Sequence, residues 1–95
     1  MNMDYKYIEK KKKVAALDEG KEVGVITYSE KNEEVWIFDH TYVDPDYRGG
    51  AIADTLLKNL VDIAKEKGVK IIPKCSYVRR KFDKNPEYGE LEYKG

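Results

Sequence analysis

The chain lacks most features that would assign it quickly. It has one cysteine in 95 residues, Cys75, so no internal disulfide can form. It has no apolar run near the roughly 20 residues of a membrane span. Positions 1–13 carry no apolar signal-peptide core. Formal charge is absent overall, with 18 Lys plus Arg against 18 Asp plus Glu. That balance disfavours a strongly basic nucleic-acid binder and an acidic solvating tail. There are only three prolines, no Ser-rich or Pro-rich linker, no repeat and no low-complexity tract beyond the lysines at 10–13, which read as a solvated strand start. No metal site and no membrane partner are expected. A lone thiol and the missing signal core point to a reducing, cytoplasmic setting.

What is present is a folded domain. Apolar residues make up 41% and include eight Tyr, two Phe and one Trp, too many aromatics for a disordered chain. At roughly 100–200 residues per domain, positions 1–95 make one.

Segment 13–17 (KVAAL) and segment 22–28 (EVGVITY) read as strands, rich in β-branched residues in the second case. The turn residues Asp18, Glu19, Gly20 and Lys21 join them as a hairpin. Segment 34–43 (EVWIFDHTYV) is the strongest strand. Strict alternation puts Val35, Ile37, Thr41 and Val43 on one face and Trp36, Phe38, His40 and Tyr42 on the other. With apolar groups on both faces, this strand is expected to be covered on both sides, with Trp36, Phe38 and Tyr42 in the core.

Pro45 ends that strand. A glycine-rich turn follows, then a helix over 51–67 with Ile52, Leu56, Leu60 and Ile63 at helical spacing and Gly68 at its end. Segment 69–74 reads as a strand. Ser76 is a candidate cap for a second helix over 76–84, stopping before Asn85 and Pro86. The tail, 87–95, has no clear pattern. The order is strand, strand, strand, helix, strand, helix. That is an α+β domain with a mixed sheet: antiparallel leading strands and a right-handed, parallel strand–helix–strand unit.

A strand that leads through glycines into a helix is a phosphate cradle. The first helical turn has amides without internal acceptors, the helix dipole adds positive charge, and glycine lets the backbone come close. Here the turn is Arg48-Gly49-Gly50-Ala51-Ile52-Ala53. It is neither a Walker loop nor Gly-x-Gly-x-x-Gly. Segment 69–84 sets six cations against Asp83 alone, which suits a compact anionic ligand as well as it suits an ordinary charged helix surface.

Residues 40–53 (HTYVDPDYRGGAIA) resemble the acetyl-coenzyme A motif of the GNAT superfamily of N-acetyltransferases: a strand, Val-x-Pro, then Arg/Gln-x-x-Gly-x-Gly/Ala opening a helix. Arg48 and Ala53 match the ends of that pattern. Ala51 stands where the family has glycine, which implies weakened pyrophosphate binding. Segments 71–78 (IIPKCSYV) and 85–88 (NPEY) are similar to the small single-domain GNAT-like subfamily. The resemblance implies a minimal GNAT-like fold without the N-terminal helices that usually help hold the acceptor. It implies acetyl-coenzyme A as cosubstrate, with Thr41 and Val43 pairing their backbones with pantetheine. Arg48, Gly49, Gly50, Ala51, Ile52 and Ala53 would hold the pyrophosphate, with Ser76 and Tyr77 completing the set. Arg79, Arg80 and Lys81 would be open to the 3′-phosphate.

Two residues are catalytic candidates. Cys75 lies between a strand end and a helix start, where its thiol would ionise readily and could accept an acetyl group. It would serve equally as a small buried apolar residue. His40 has the intrinsic pKa of a general base and could assist Cys75 or deprotonate an amine; it could equally be a packed strand residue. Tyr77 is either a proton donor near the thioester or a packing residue. The expected function is acetyl transfer from acetyl-coenzyme A to an unidentified amine, through Cys75 or directly. The alternative is a non-catalytic acetyl-coenzyme A or coenzyme A binder, a sensor or an adaptor.

Overall fold

The computed structural model describes residues 3–95. Met1 and Asn2, the first positions of the segment read for a signal core, lie outside them. Five strands form one sheet in sequence order: β1 (Met3–Ile8), β2 (Lys13–Asp18), β3 (Lys21–Asn32), β4 (Val35–Val43) and β5 (Lys70–Pro73). The first four are successive antiparallel neighbours, and β5 runs parallel to β4. Helix α1 (Ile52–Lys67) makes the crossover between β4 and β5; α2 (Ser76–Lys84) and a short α3 (Pro86–Gly89) follow. The expected α+β mixed sheet and its parallel unit are therefore present.

The β2–β3 hairpin turns on Glu19 and Gly20, both at positive φ, 50° and 86°, as a tight two-residue hairpin requires. In α1, Leu56, Leu57, Leu60, Val61 and Ala64 are buried as one stripe, and the helix closes at Gly68, whose amide donates to the Ala64 and Lys65 carbonyls. The helix begins one residue later than expected.

Two elements were not anticipated. β1 lies in the lysine-rich N-terminus, yet Met3, Tyr5 and Tyr7 alternate with Asp4 and Lys6 and pack on the core. Period two was legible there, and the charge concealed it. Of the lysines at 10–13, only Lys13 starts a strand; Glu9–Lys11 form a 3₁₀ turn. In the tail, α3 is capped by the Asn85 side chain, which accepts from the amides of Glu87 and Tyr88. The chain then returns along β5, with Tyr93 N donating to Ile71 O at 2.8 Å and Ile71 N to Leu91 O at 2.9 Å.

The faces of β4 differ from strict alternation. Thr27 pairs with His40, but the next residue, Tyr28, pairs with Phe38, so β4 carries one extra residue at Asp39. This bulge exchanges the faces beyond it. Trp36 and Phe38 share a face with Thr41 and Val43, while His40 and Tyr42 turn to the other. Helices cover only the first face. Phe82 of α2 meets Phe38 edge-on at 6.5 Å between centroids, and α2 reaches α1 through Lys81 and Asp54 at 3.1 Å. The second face leaves His40 exposed and Tyr42 at 52% exposure, so β4 is not covered on both sides and Tyr42 is not core.

Candidate functional site

β4 and β5 pair only over Val35–Phe38 and Lys70–Pro73. The last link is the Cys75 amide donating to Phe38 O at 3.2 Å. Beyond it β4 runs on to Val43 with no strand on that side, so a split opens at the sheet edge from which both α1 and α2 start. A groove of about 280 Å³ lies there, lined by Thr41, Tyr42, Val43, Tyr47, Arg48, Gly49, Gly50, Ile52, Ala53 and Tyr77.

The floor of this groove depends on a close approach. A Cβ built on Gly24 of β3 would lie 3.1 Å from Ile52 Cγ2 and 3.3 Å from Leu56 Cδ1. Glycine thus lets the first turn of α1 sit down on the sheet. Gly49, at φ +89°, then turns the chain into the helix. Among the described residues, the amides of Gly49, Gly50, Ala51, Ile52, Ala53 and Asp54 find no protein acceptor; the first bond back is Thr55 N to Ala51 O at 2.9 Å. Ala51 caps the helix without a side-chain bond. Its methyl leaves the amide free, so alanine at this position keeps the donor that a glycine would have supplied.

Two tethers hold the loop. Tyr47 donates its hydroxyl to Asp18 Oδ2 at 2.6 Å, tying the loop to the β2–β3 hairpin, and this bond raises the phenol's pKa. Arg48 donates Nε to Val43 O at 2.8 Å and lies 5.6 Å from the Tyr42 ring centroid.

At the other end of the split, Cys75 is the N-cap of α2, and Ser76, the expected cap, is the first helical residue. A residue that ends a strand while its amide bonds β4 already has the extended backbone of a cap. The Cys75 thiol lies 3.8 Å from Thr41 Oγ1. Burial pushes the thiol up, but hydrogen bonds from the Val78 amide, the Thr41 side chain and the Tyr77 amide outweigh it, and the pKa falls below the ordinary cysteine value. Tyr77, two residues on, donates its hydroxyl to Asp54 in the first turn of α1; burial and that bond hold the phenol well above its usual range. Asp54, bonded by Tyr77 and then Lys81, is held below the usual carboxylate range.

The structure separates the rest. His40 is exposed on the face opposite Thr41, so the bulge removes it from Cys75 as a partner. Arg79 is spent on Glu92, at 2.7 and 2.8 Å, and on Asp83, at 2.7 and 3.1 Å, which fastens the C-terminal tail to α2. It is not open to a phosphate. Arg80 is exposed, with no carboxylate partner among the described residues. Gly24, Tyr47 and Asp54 were missed in the sequence. Their roles arise from contacts between distant segments, and no local pattern marks them.

A sequence profile of the GCN5-related N-acetyl-transferase family matches residues 6–91. The chain belongs to this family. A GCN5-like protein from Staphylococcus aureus, solved by NMR, is 29% identical with a TM-score of 0.76, over 97% of this chain and 89% of that one. A ribosomal-protein-alanine N-acetyltransferase from Brucella melitensis is 25% identical with a TM-score of 0.60, over 87% of this chain and 62% of that one. A GNAT family acetyltransferase from Elizabethkingia anophelis, solved with acetyl-CoA bound, is 18% identical with a TM-score of 0.60, over 76% of this chain and 50% of that one, and shares the fold. No curated protein matches the sequence. The family assignment makes this an acetyltransferase domain with acetyl-coenzyme A as cosubstrate. No helix among the described residues is long and apolar enough to cross a membrane.

Proposed function

We propose that the chain transfers an acetyl group from acetyl-coenzyme A to an amine, with the split between β4 and β5 as the site. One observation carries the reading. One groove runs from the turn of unpartnered amides at Gly49 to Ala53 to Thr41, whose hydroxyl meets the Cys75 thiol. The amides suit a diphosphate, and the unpaired side of β4 suits the amides of a pantetheine arm. Thr41, Val43, Arg48, Gly49, Gly50, Ala51, Ile52 and Ala53 would bind the coenzyme, and Tyr77 would stand over the thioester.

In the covalent route, the Cys75 thiolate attacks the thioester carbonyl. The new bond is Cys75 Sγ to the acetyl carbon, and the bond to the coenzyme sulfur breaks. The coenzyme leaves as its thiolate, and Tyr77, which its raised pKa keeps protonated, remains a neutral phenol rather than a proton source. A neutral amine then attacks the acetyl-cysteine: the carbon–nitrogen bond forms, the bond to Cys75 Sγ breaks to restore the thiolate, and the amine's proton passes to the coenzyme thiolate. In the direct route, the amine attacks the coenzyme thioester itself, the bond to the coenzyme sulfur breaks, the amine's proton passes to that sulfur, and Cys75 does not react.

A second reading is a non-catalytic acetyl-coenzyme A binder. It is favoured by the absence, among the described residues, of a histidine or carboxylate bonded to Cys75. Calorimetric titration with acetyl-coenzyme A, followed by intact mass, separates the readings. Binding with a one-acetyl mass gain that Cys75→Ala abolishes supports the covalent route. Binding and turnover of an amine without the adduct supports direct transfer. Binding without turnover over an amine panel supports the second reading, and no binding removes both.

A further inference from the structure

The two edges of the sheet are finished differently. At β5 the returning tail covers the edge through the bonds between Ile71 and the Leu91–Tyr93 segment. At the other edge β1 pairs with β2 alone, so its outer row of amides and carbonyls meets no strand among the described residues. An open row of this kind is a template for another strand. The side chains of β1 divide by face. Met3, Tyr5 and Tyr7 are half-buried against the core. Asp4 and Lys6 stand exposed on the opposite face, and neither is in an ion pair among the described residues. Their cross-strand neighbours on β2 are Leu17 and Ala15, which carry no charge.

We propose that β1 pairs with β1 of a second copy of this chain, antiparallel, about a two-fold axis at Tyr5. In that register Asp4 stands opposite the partner's Lys6, and Lys6 opposite the partner's Asp4. Side chains directly opposite in an antiparallel pair have Cβ atoms about 4.5–5.5 Å apart, within reach of an ion pair. On the core face Tyr5 meets the partner's Tyr5, and Met3 meets the partner's Tyr7. Other registers fail. A slip by one residue sets core-face side chains against exposed ones. A slip by two sets Asp4 on the partner's Asp4, or Lys6 on the partner's Lys6. Charge on an edge strand ordinarily blocks pairing. The order of charge in β1 blocks the wrong registers and admits one. The interface uses the same patch on both copies and consumes both free edges, so pairing stops at two chains. β1 and the β4–β5 split lie at opposite ends of the sheet, so the groove of each copy stays open. The pairing therefore stands or falls independently of acetyl-coenzyme A binding.

Sedimentation velocity of the full chain, from micromolar to millimolar concentration at low salt, reads the assembly. The wild type is expected to move from the 11.0 kDa single chain toward twice that mass as concentration rises. Asp4→Lys and Lys6→Asp each set like charges opposite one another at both pairs. Each is expected to weaken self-association by about tenfold or more. Mixed in equal amounts, the two variants regain both opposite-charge pairs, because one chain then carries two cations at these positions and the other two carboxylates. The mixture is expected to associate about as tightly as wild type, a recovery that unfolded variants would not give. A wild type that stays a single chain throughout the range would overturn the pairing. Single variants that self-associate as the wild type does would also overturn it, since another surface would then join the copies. A mixture no stronger than its separate components would overturn the register and the proposal with it.

Discussion

Replacing Gly24 by alanine tests how the diphosphate cradle is built. The new methyl would meet Ile52 Cγ2 at 3.1 Å, Leu56 Cδ1 at 3.3 Å and the Tyr42 carbonyl oxygen at 3.3 Å. None of these can step aside cheaply. Leu56 is fully buried and Ile52 nearly so, and the third atom is backbone. Overpacking of this kind costs roughly 1–3 kcal/mol. Alanine restricts the unfolded chain and offsets about 0.4–1 kcal/mol of that. A net loss of about 1–2 kcal/mol lowers Tm by roughly 5–15 °C in a domain of this size. Relief by lifting α1 also moves Ile52, and with it the amides of the first turn, so acetyl-coenzyme A affinity should fall together with Tm. Thermal unfolding followed by circular dichroism and calorimetric titration at a temperature where both proteins are folded measure the two effects. Gly50→Ala is the contrast: its Cβ would find only the Tyr47 carbonyl oxygen, 4.0 Å away, so it should not lower Tm and should raise it by a few degrees through the restricted unfolded chain. An unchanged Tm in Gly24→Ala, or an equal loss in both variants, would refute the close-packing account.

Alkylation of Cys75 by iodoacetamide should show a pH midpoint below that of a free cysteine; Thr41→Val should move the midpoint up, because a hydroxyl that stabilises the thiolate is gone. No upward shift would detach Thr41 from the thiol. Phe38→Ala should cost about 3–5 kcal/mol in urea unfolding, since the ring is fully buried against Phe82; a loss below 1 kcal/mol would mean the bulge does not set the core face. Glu92, whose carboxyl Arg79 holds below its ordinary value of 4.5, should stabilise the chain fully above that pH and lose its effect as pH falls through the lowered value. Glu92→Gln should therefore be less stable than wild type at pH 7, and the two should converge in acid. A gap that persists or widens in acid would contradict the ion pair.

The order of the central elements was legible because each has its own period. The turn at Gly20, the run of Val35 to Val43, the apolar stripe of α1 and the short β5 all follow from neighbours in sequence. The bulge at Asp39 does not. Its only trace is that Phe38 and Val43, an odd number apart, are both apolar, and a half-exposed strand offers that pattern for many reasons. Missing it misplaced His40 and Tyr42 together, since one extra residue exchanges every later side chain between faces.

The site divides in the same way. The turn from Arg48 to Ala53 was recognisable because binding a diphosphate there uses backbone amides, and what frees those amides is a local property of glycine and a helix start. The rest of the site is made of tertiary pairs: Cys75 with Thr41, Tyr77 with Asp54, Tyr47 with Asp18 and Arg79 with Glu92. Each joins residues 13 to 34 positions apart, and which of the chain's many Tyr, Lys and carboxylate groups would meet is decided by the sheet register and the seating of α1. Arg79 illustrates the consequence. Its residue type suits a phosphate, yet the tail that returns along β5 brings Glu92 to it first.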